Sequence, residues 1–207
     1  MKYLYVALLW AGFGALHSVL ISIRFTALME RIAGRGFALY RLAYNLFSLL
    51  LVVVLLVLTR RLDNQMVMVF APPWSLLRYA LLSVSAVLIF WPLLFNYDAL
   101  EFLGIRQIGH SPEKRKVEPP ETISRRGLLG IVRHPMYLGT IIFLWSLNST
   151  RADIVVHAVL TIYILIGIQL EEKKLVAQYG DAYVQYQRAV PALIPFGKKR
   201  ASQAVTS

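Results

Sequence analysis

A basic pair before an apolar stretch is the strongest sign of chemistry in the sequence. Arg133 and His134 set a fixed cation beside a titratable imidazole, and Pro135 suits the first turn of a helix. Such a helix start offers N–H groups and a positive dipole end, which can hold a carboxylate. Tyr137 and Gly139 add an aromatic face and a place where a ligand or another helix can come close. The same residues also fit an ordinary basic membrane anchor followed by a proline helix start.

Two adjacent carboxylates, Glu171 and Glu172, stand at the end of the last apolar stretch. Charged groups are costly there if they face lipid, so at least one is expected to turn toward protein, water or a cationic ligand. The alternative is a solvated extension of the helix, through Lys173 and Lys174, with charge pairs three or four residues apart.

Polar side chains also recur at helical spacing in the first two apolar stretches. They are His17, Ser18, Arg41, Tyr44, Asn45 and Ser48. Polar groups inside a membrane are functional candidates by default, although hydrogen bonding between helices is a common structural use. We take Arg41, Tyr44 and His17 as candidate catalytic residues and leave the structural alternative open.

The composition places most of these residues on membrane helices. Of 207 residues, 57% are hydrophobic and 16% are charged, which is too apolar for a soluble domain. Hydropathy predicts five apolar segments, at residues 3–23, 37–58, 74–95, 136–147 and 154–170. The fourth is too short to span a bilayer alone, so it is expected to borrow flanking residues, tilt or pair with the fifth as a helical hairpin. The predicted fold is an all-α integral membrane protein with about five transmembrane helices.

The basic residues predict an orientation. The net charge is +11, and alternate sides of the predicted spans hold 17 and 5 of the 22 Lys and Arg residues. The richer side is expected to face the cytosol, which places the N-terminus outside and the C-terminus inside. The basic rim suits anionic membrane lipids, so no nucleic acid partner is needed to explain it. Because the chain has no cysteine, a thiolate metal site and a cysteine nucleophile are excluded, and no metal is expected.

These spans divide the chain into five predicted segments. They are a three-helix transmembrane N-terminal half (1–96), a cytosolic amphipathic helix and loop (97–135), a transmembrane helical hairpin (136–170), a cytosolic helical segment (171–195) and a disordered basic tail (196–207).

The order of motifs over residues 127–195 resembles the isoprenylcysteine carboxyl methyltransferase and phospholipid methyltransferase superfamily of integral membrane enzymes. The motifs are Arg-His-Pro-x-Tyr-x-Gly, a helical hairpin, Glu-Glu-x-x-Leu, Tyr-x-x-Tyr and Val-Pro-x-x-Ile-Pro. The resemblance implies that S-adenosylmethionine binds at the cytosolic face, between the last two membrane helices and a C-terminal segment that covers it. The implied cofactor residues are Arg133, His134, Pro135, Tyr137, Gly139, Glu171, Glu172, Tyr183, Tyr186 and Arg188. His110, in the preceding loop, could also lie near the cofactor.

The N-terminal half is similar to the bacterial methanethiol S-methyltransferase branch. The similarity rests on residues 16–18, 40–45 and 97–107. It implies a small thiol as methyl acceptor, with methanethiol favoured and dimethyl sulfide as product, and a place in the bacterial inner membrane. That branch shares its front end with membrane proteins linked to nitric-oxide metabolism and with the haem-containing ζ-carotene isomerase, so a haem-binding protein that uses His17 is an alternative. Methylation of a phospholipid amine or an isoprenoid-linked carboxylate is another, and the oligomeric state is left open.

Overall fold

The computed structural model describes residues 1–106, 123 and 125–195, without the side chains of Arg35 and Phe102. His110 with its loop and the predicted basic tail therefore lie outside the described residues. The described chain is mainly helical. It divides into two compact units: a first unit with residues 1–70, 98–106 and 148–163, and a second unit with the described residues of 71–97, 123–147 and 164–195.

Four helices are long and apolar enough to cross a membrane. They are α1 (Lys2–Leu20), α3 (Tyr40–Leu62), α4 (Trp74–Phe95) and α7 (Arg151–Tyr179). At most 22% of the apolar window of any of them is buried within the protein, so most of their apolar side chains need a lipid environment. A further apolar helix, α6 (Pro135–Trp145), has 11 residues and is too short to count as a span by itself. The chain is a helical membrane protein, and the fifth span remains a prediction.

One helix of the first unit was missed by the hydropathy pattern. Residues 24–36 lie between the first two predicted apolar segments, but α2 (Ile23–Ala33) occupies most of them, with Ser22 Oγ accepting a hydrogen bond from Phe25 N at 3.3 Å. The helix ends at Gly34, whose φ of 51° and ψ of −118° form a conformation that glycine adopts readily because it has no Cβ. Because α2 is amphipathic, its polar face cancels its apolar face in a hydropathy average.

Short elements complete the first unit. They are a 3₁₀ helix (Gly34–Leu39), strand β1 (Met66–Met68), helix α5 (Ala99–Leu103) and strand β2 (Ser149–Thr150). The two strands pair antiparallel, with Met66 opposite Thr150. Thr150 and Asp153 then form a reciprocal capping box at the start of α7: the Thr150 hydroxyl accepts from Asp153 N at 3.1 Å and the Asp153 carboxylate accepts from Thr150 N at 2.8 Å.

The core of the first unit lies among α1, α3 and the first half of α7. Its buried apolar residues are Val6, Trp10, Leu55, Ala152 and Val156. The Trp10 indole N–H donates to Thr59 Oγ1 at 3.1 Å, so the large ring is packed and its one polar atom is satisfied.

The second unit contains α4, a 3₁₀ helix (Gly127–Gly130), α6, the second half of α7, and α8 (Asp181–Ala189). Helices α4 and α6 pack closely at Gly139, where an added Cβ would stand 2.9 Å from Leu88 Cβ, Ile89 Cγ1 and Ser85 O. At Gly180 the backbone has a φ of 57°, and the chain turns there from α7 into α8.

We expect Gly139→Ala to lower the thermal midpoint of the purified protein in detergent micelles, because the new methyl group overpacks the α4–α6 contact at a cost of about 1–3 kcal/mol. Gly167→Ala on α7 is the matched control, since no heavy atom lies within 4 Å of its added Cβ. The control should be neutral or stabilising, by up to about 1 kcal/mol of helix propensity. Equal midpoints for the two variants would contradict the packing assigned to Gly139.

Candidate functional site

The candidate site lies in the second unit, where the start of α6 meets the segment after α8. The backbone N–H groups of Arg133 and His134 donate to the carbonyl oxygens of Pro191 (2.9 Å) and Ala192 (3.0 Å). Pro135 then occupies the first position of α6 and is buried, and its missing N–H costs little there. Two backbone hydrogen bonds therefore hold the C-terminal segment beside the Arg-His pair.

The Arg133 guanidinium is almost fully engaged by its own chain. Nε donates to Glu172 Oε1 at 2.7 Å, and Nη2 lies 2.5 Å from the same oxygen. Nη1 donates to Gln187 O at 3.0 Å and also to Val190 O. Only 8% of the side chain is exposed, and these contacts use most of the five N–H donors. Arg133 therefore ties α7 to the end of α8, and few of its donors remain for a cofactor.

The Glu172 carboxylate is likewise engaged by contacts within the protein. Besides Arg133, its Oε1 lies 3.1 Å from Nε2 of His134. Its Oε2 accepts a hydrogen bond from Nε2 of Gln187 at 2.9 Å. Both carboxylate oxygens thus have partners in α8 or at the start of α6, so Glu172 is a centre of internal contacts.

Glu171, the neighbouring carboxylate, has one oxygen that accepts no hydrogen bond from the described residues. Its Oε2 is buried and has no hydrogen-bond partner among the described residues. That atom lies 3.9 Å from Nδ1 of His134, which is longer than a hydrogen bond. A buried carboxylate oxygen without a donor is costly, so a cationic group of a ligand would be stabilised at this position.

His134 stands between the two glutamates, with Nε2 toward Glu172 and Nδ1 toward Glu171. The side chain is only 5% exposed. Its ring stacks on Tyr137, with centroids 5.5 Å apart and an angle of 28° between the planes. The imidazole is therefore held in one orientation beside the spare oxygen of Glu171.

Tyr183 and Tyr186 anchor α8. Both are buried, and partly buried apolar side chains of residues 123, 175, 176 and 179 pack on them. Tyr186 donates its hydroxyl proton to Leu129 O at 2.6 Å. Burial raises the pKa of Tyr186 to about 12 and also raises the pKa of Tyr183 well above its usual range. Both phenols are therefore neutral at physiological pH and fit a buried anchoring position.

The remaining predicted residues of the site differ in their surroundings. Gly139 packs against α4, as described above. Arg188 is exposed on α8. Gln187, which sequence reasoning did not single out, contacts Glu172 directly; its one signal is that it follows Tyr183 by one helical turn. The backbone carbonyls that bind Arg133 and His134 have no sequence signal of their own, because any residue supplies a carbonyl.

The candidate catalytic residues of the N-terminal half lie in the first unit. The structure brings two of them together: the ring nitrogens of His17 lie 3.3 Å from Ser48 Oγ and 3.3 Å from Tyr44 OH. Ser18 Oγ lies 2.9 Å from Tyr163 OH. Arg41 is exposed at the start of α3. These contacts join α1 to α3 and α7, which is the structural use of polar groups between helices.

The long apolar helices place this chain in the class of helical membrane proteins. The family model described as NnrU protein matches residues 5–202, and the chain belongs to the NnrU protein family. No solved structure is significantly similar to it.

Several relatives are named as methyltransferases. The chain is 41% identical over 107 residues to the methanethiol S-methyltransferase of Crocosphaera subtropica, a match that covers 51% of this chain and 42% of that protein. It is 32% identical over 190 residues to methanethiol S-methyltransferase 1 of Bradyrhizobium diazoefficiens, covering 91% and 65%. It is 35% identical over 75 residues to the protein-S-isoprenylcysteine O-methyltransferase of Schizosaccharomyces pombe, covering 33% and 31%. The chain thus matches less than two thirds of the length of each of these relatives.

We expect Arg133→Ala to release α8 and the segment after it, because removing one partner of a buried ion pair costs about 3–5 kcal/mol. Hydrogen exchange followed by mass spectrometry should show amides of residues 181–192 exchanging at least about tenfold faster, while α4 keeps its protection. Arg188→Ala is the control, since it removes an exposed arginine from α8 itself. Unchanged exchange in Arg133→Ala would contradict the role assigned to this residue.

Proposed function

We propose that this protein is a membrane methyltransferase that uses S-adenosylmethionine and acts on a small thiol. The observation that carries the proposal is the buried, unpartnered Oε2 of Glu171 beside the oriented ring of His134. The names of the relatives support the reaction class. The cofactor is our inference from the resemblance of the motifs around these two residues.

The residues present fit the amino acid part of S-adenosylmethionine. We assign its ammonium group to Glu171, because Oε2 of that residue lacks a donor. We assign its carboxylate to the N-terminal end of α6, where the helix dipole is positive. Because Arg133 and Glu172 are engaged by their own chain, we assign them as positioning residues that hold His134 and α8.

When bound, S-adenosylmethionine supplies a methyl group on a sulfonium: a bond forms between the acceptor sulfur and the methyl carbon as the bond to the sulfonium sulfur breaks, which leaves S-adenosylhomocysteine. The chain contributes a site with little water, since His134, Tyr183 and Tyr186 are all buried. The acceptor would enter as its thiolate, with the thiol proton released to bulk water. Thiolate and sulfonium would then lose their charges together during the transfer, and a site that excludes water favours that loss. The contacts of His134 with Glu172 and Tyr137 fix one wall of the site, which would help to position a bound methyl donor.

Methanethiol is the acceptor we favour, with dimethyl sulfide as the product. The support is that two relatives which together cover both halves of the chain are named for this substrate. The isoprenylcysteine relative matches only 33% of the chain, so a lipid-like acceptor is the second candidate.

We also propose that the C-terminus lies in the cytosol of a bacterium and the N-terminus outside the inner membrane. The support is the distribution of the basic residues, 17 against 5. The residues of the candidate site lie in the segments assigned to the basic, cytosolic side, where S-adenosylmethionine is available to the enzyme. The reactants would then reach the site from the cytosol or from the bilayer.

The haem-binding alternative has less support from the contacts of His17. Each ring nitrogen lies 3.3 Å from a hydroxyl group, of Ser48 or of Tyr44, so the ring is already engaged on both sides. An axial ligand needs one nitrogen released from such a contact. We therefore assign His17 and Tyr44 to interhelical contact and leave Arg41 as the catalytic candidate of the first unit that is exposed.

Isothermal titration with S-adenosylhomocysteine should separate the two glutamates. We expect Glu171→Gln to weaken binding about tenfold or more, because a charge-assisted contact with the ammonium group is lost. Glu172→Gln should weaken binding and also loosen α8 in hydrogen exchange, since it breaks the contacts with Arg133. Lys174→Ala, an exposed change two residues further along α7, is the control and should bind as the unaltered protein does. Full affinity in Glu171→Gln would overturn the assignment of the ammonium group.

Headspace gas chromatography tests the acceptor. Protein in membranes, given methanethiol and S-adenosylmethionine labelled in the methyl group, should release labelled dimethyl sulfide. His134→Ala should reduce the rate at least about tenfold, because the ring contacts Glu172 at 3.1 Å and lies 3.9 Å from the spare oxygen of Glu171. A phospholipid amine and an isoprenylcysteine serve as competing acceptors in parallel reactions. Label that appears only in the lipid fraction would replace the thiol by a lipid-like acceptor, and label in neither fraction would refute methyl transfer to these classes.

A further inference from the structure

A pocket next to the Glu172–Gln187 contact opens beside α7 and α8 in the second unit. Its volume is about 360 Å³, and it is lined by Gln169, Glu172, Lys173, Val176 and Gln187. Four of these residues, Gln169, Glu172, Lys173 and Val176, occupy positions i, i+3, i+4 and i+7 of α7, so they share one face of the helix. Glu171 is about 160° away from both Gln169 and Lys173 around the helix, so its side chain belongs to another face.

The pocket carries an uncompensated positive charge. The carboxylate of Glu172 is neutralised by Arg133, and both of its oxygens already accept hydrogen bonds. Lys173 is exposed and makes no ion pair with any acidic side chain in the part of the chain that the structure describes. The amide groups of Gln169 and Gln187 add hydrogen-bond donors to the same lining. An anionic group with several acceptor oxygens complements this set.

The position of the pocket on α7 indicates an amphiphile. One turn before Gln169, toward the middle of the helix, α7 exposes Leu165 and Ile166, with 43% and 53% of their surfaces accessible. Leu170, beside the pocket, is 52% accessible. The same side of α7 thus presents apolar side chains along a candidate membrane span and then, at the end of the apolar stretch, amides and an ammonium group. This order matches acyl chains followed by a phosphate headgroup.

We propose that this pocket binds the headgroup of an anionic glycerophospholipid, with the phosphate at Lys173 and the acyl chains along Leu165 and Ile166. The site goes beyond the proposed methyl transfer and does not depend on it: Glu172 and Gln187 are common to both, and in the candidate cofactor site both act through internal contacts. A bound lipid would also fill the side of α8 that Gln187 occupies, which adds a contact between α8 and the bilayer.

The test uses the full chain, delipidated in a nonionic detergent and titrated with dihexanoyl phosphatidylglycerol by isothermal titration calorimetry. We expect one saturable site, about tenfold weaker in Lys173→Ala and restored in part by Lys173→Arg. Lys174→Ala is the matched control, because it removes the same charge from the adjacent residue, which does not line the pocket; its affinity should change less than about twofold. Gln169→Leu, a second variant in the lining, should also weaken binding.

Four outcomes would overturn the proposal. An equal loss in Lys173→Ala and Lys174→Ala would indicate a general charge effect. Equal binding of dihexanoyl phosphatidylcholine would remove the charge argument, and equal binding of inorganic phosphate would leave an anion site that needs no lipid. S-adenosylhomocysteine is titrated into the same variants as a separate readout. A parallel loss of its affinity in Lys173→Ala would place the pocket within the cofactor site and so refute the lipid assignment without refuting methyl transfer.

Discussion

The ion pair between Arg133 and Glu172 is the contact on which the rest of the second unit depends. It joins three parts of the chain, because Arg133 precedes α6, Glu172 lies on α7, and the same guanidinium also binds two carbonyl groups at the end of α8. A buried arginine without partners would be strongly destabilising. The burial of Arg133 therefore requires that all three parts of the chain stay together. The order around His134 follows from this pair, since Glu172 also contacts the ring.

Adjacent carboxylates can serve different purposes because a helix separates them in direction. Successive residues of an α-helix point about 100° apart, so Glu171 and Glu172 meet different neighbours. Glu172 faces Arg133, His134 and Gln187, and its charge is used inside the protein. Glu171 keeps an unpartnered buried oxygen that is available for a ligand. In our proposal the internal pair provides rigidity, and the spare oxygen provides the charge that a cationic cofactor needs.

The long helices could be predicted from the sequence because each is apolar over enough residues to span a bilayer, and hydropathy measures that property directly. Helix α2 could not be predicted in this way, because the hydropathy of its apolar face is cancelled by that of its polar face in the average. The resemblance of the motifs to a known superfamily implied that Arg133, His134 and Glu172 belong to one cluster. It could not indicate which oxygens are already bound, because the partners of Arg133 include backbone carbonyls, which every residue has. The contact with Gln187 likewise depends on how α8 packs, which no local pattern encodes.

The late position in the chain of the partners of the Arg133 guanidinium, Glu172 and two carbonyl groups at the end of α8, has a consequence for biosynthesis. Translation delivers α6 to the membrane well before α8 exists, so during that interval the guanidinium of Arg133 has neither Glu172 nor the carbonyl groups that later surround it. The nascent chain therefore carries a charge that must stay in water or at the lipid headgroups until the later residues arrive. A chain interrupted before α8 would keep this charge exposed. The unpaired guanidinium is a feature by which membrane quality control could recognise an unfinished protein.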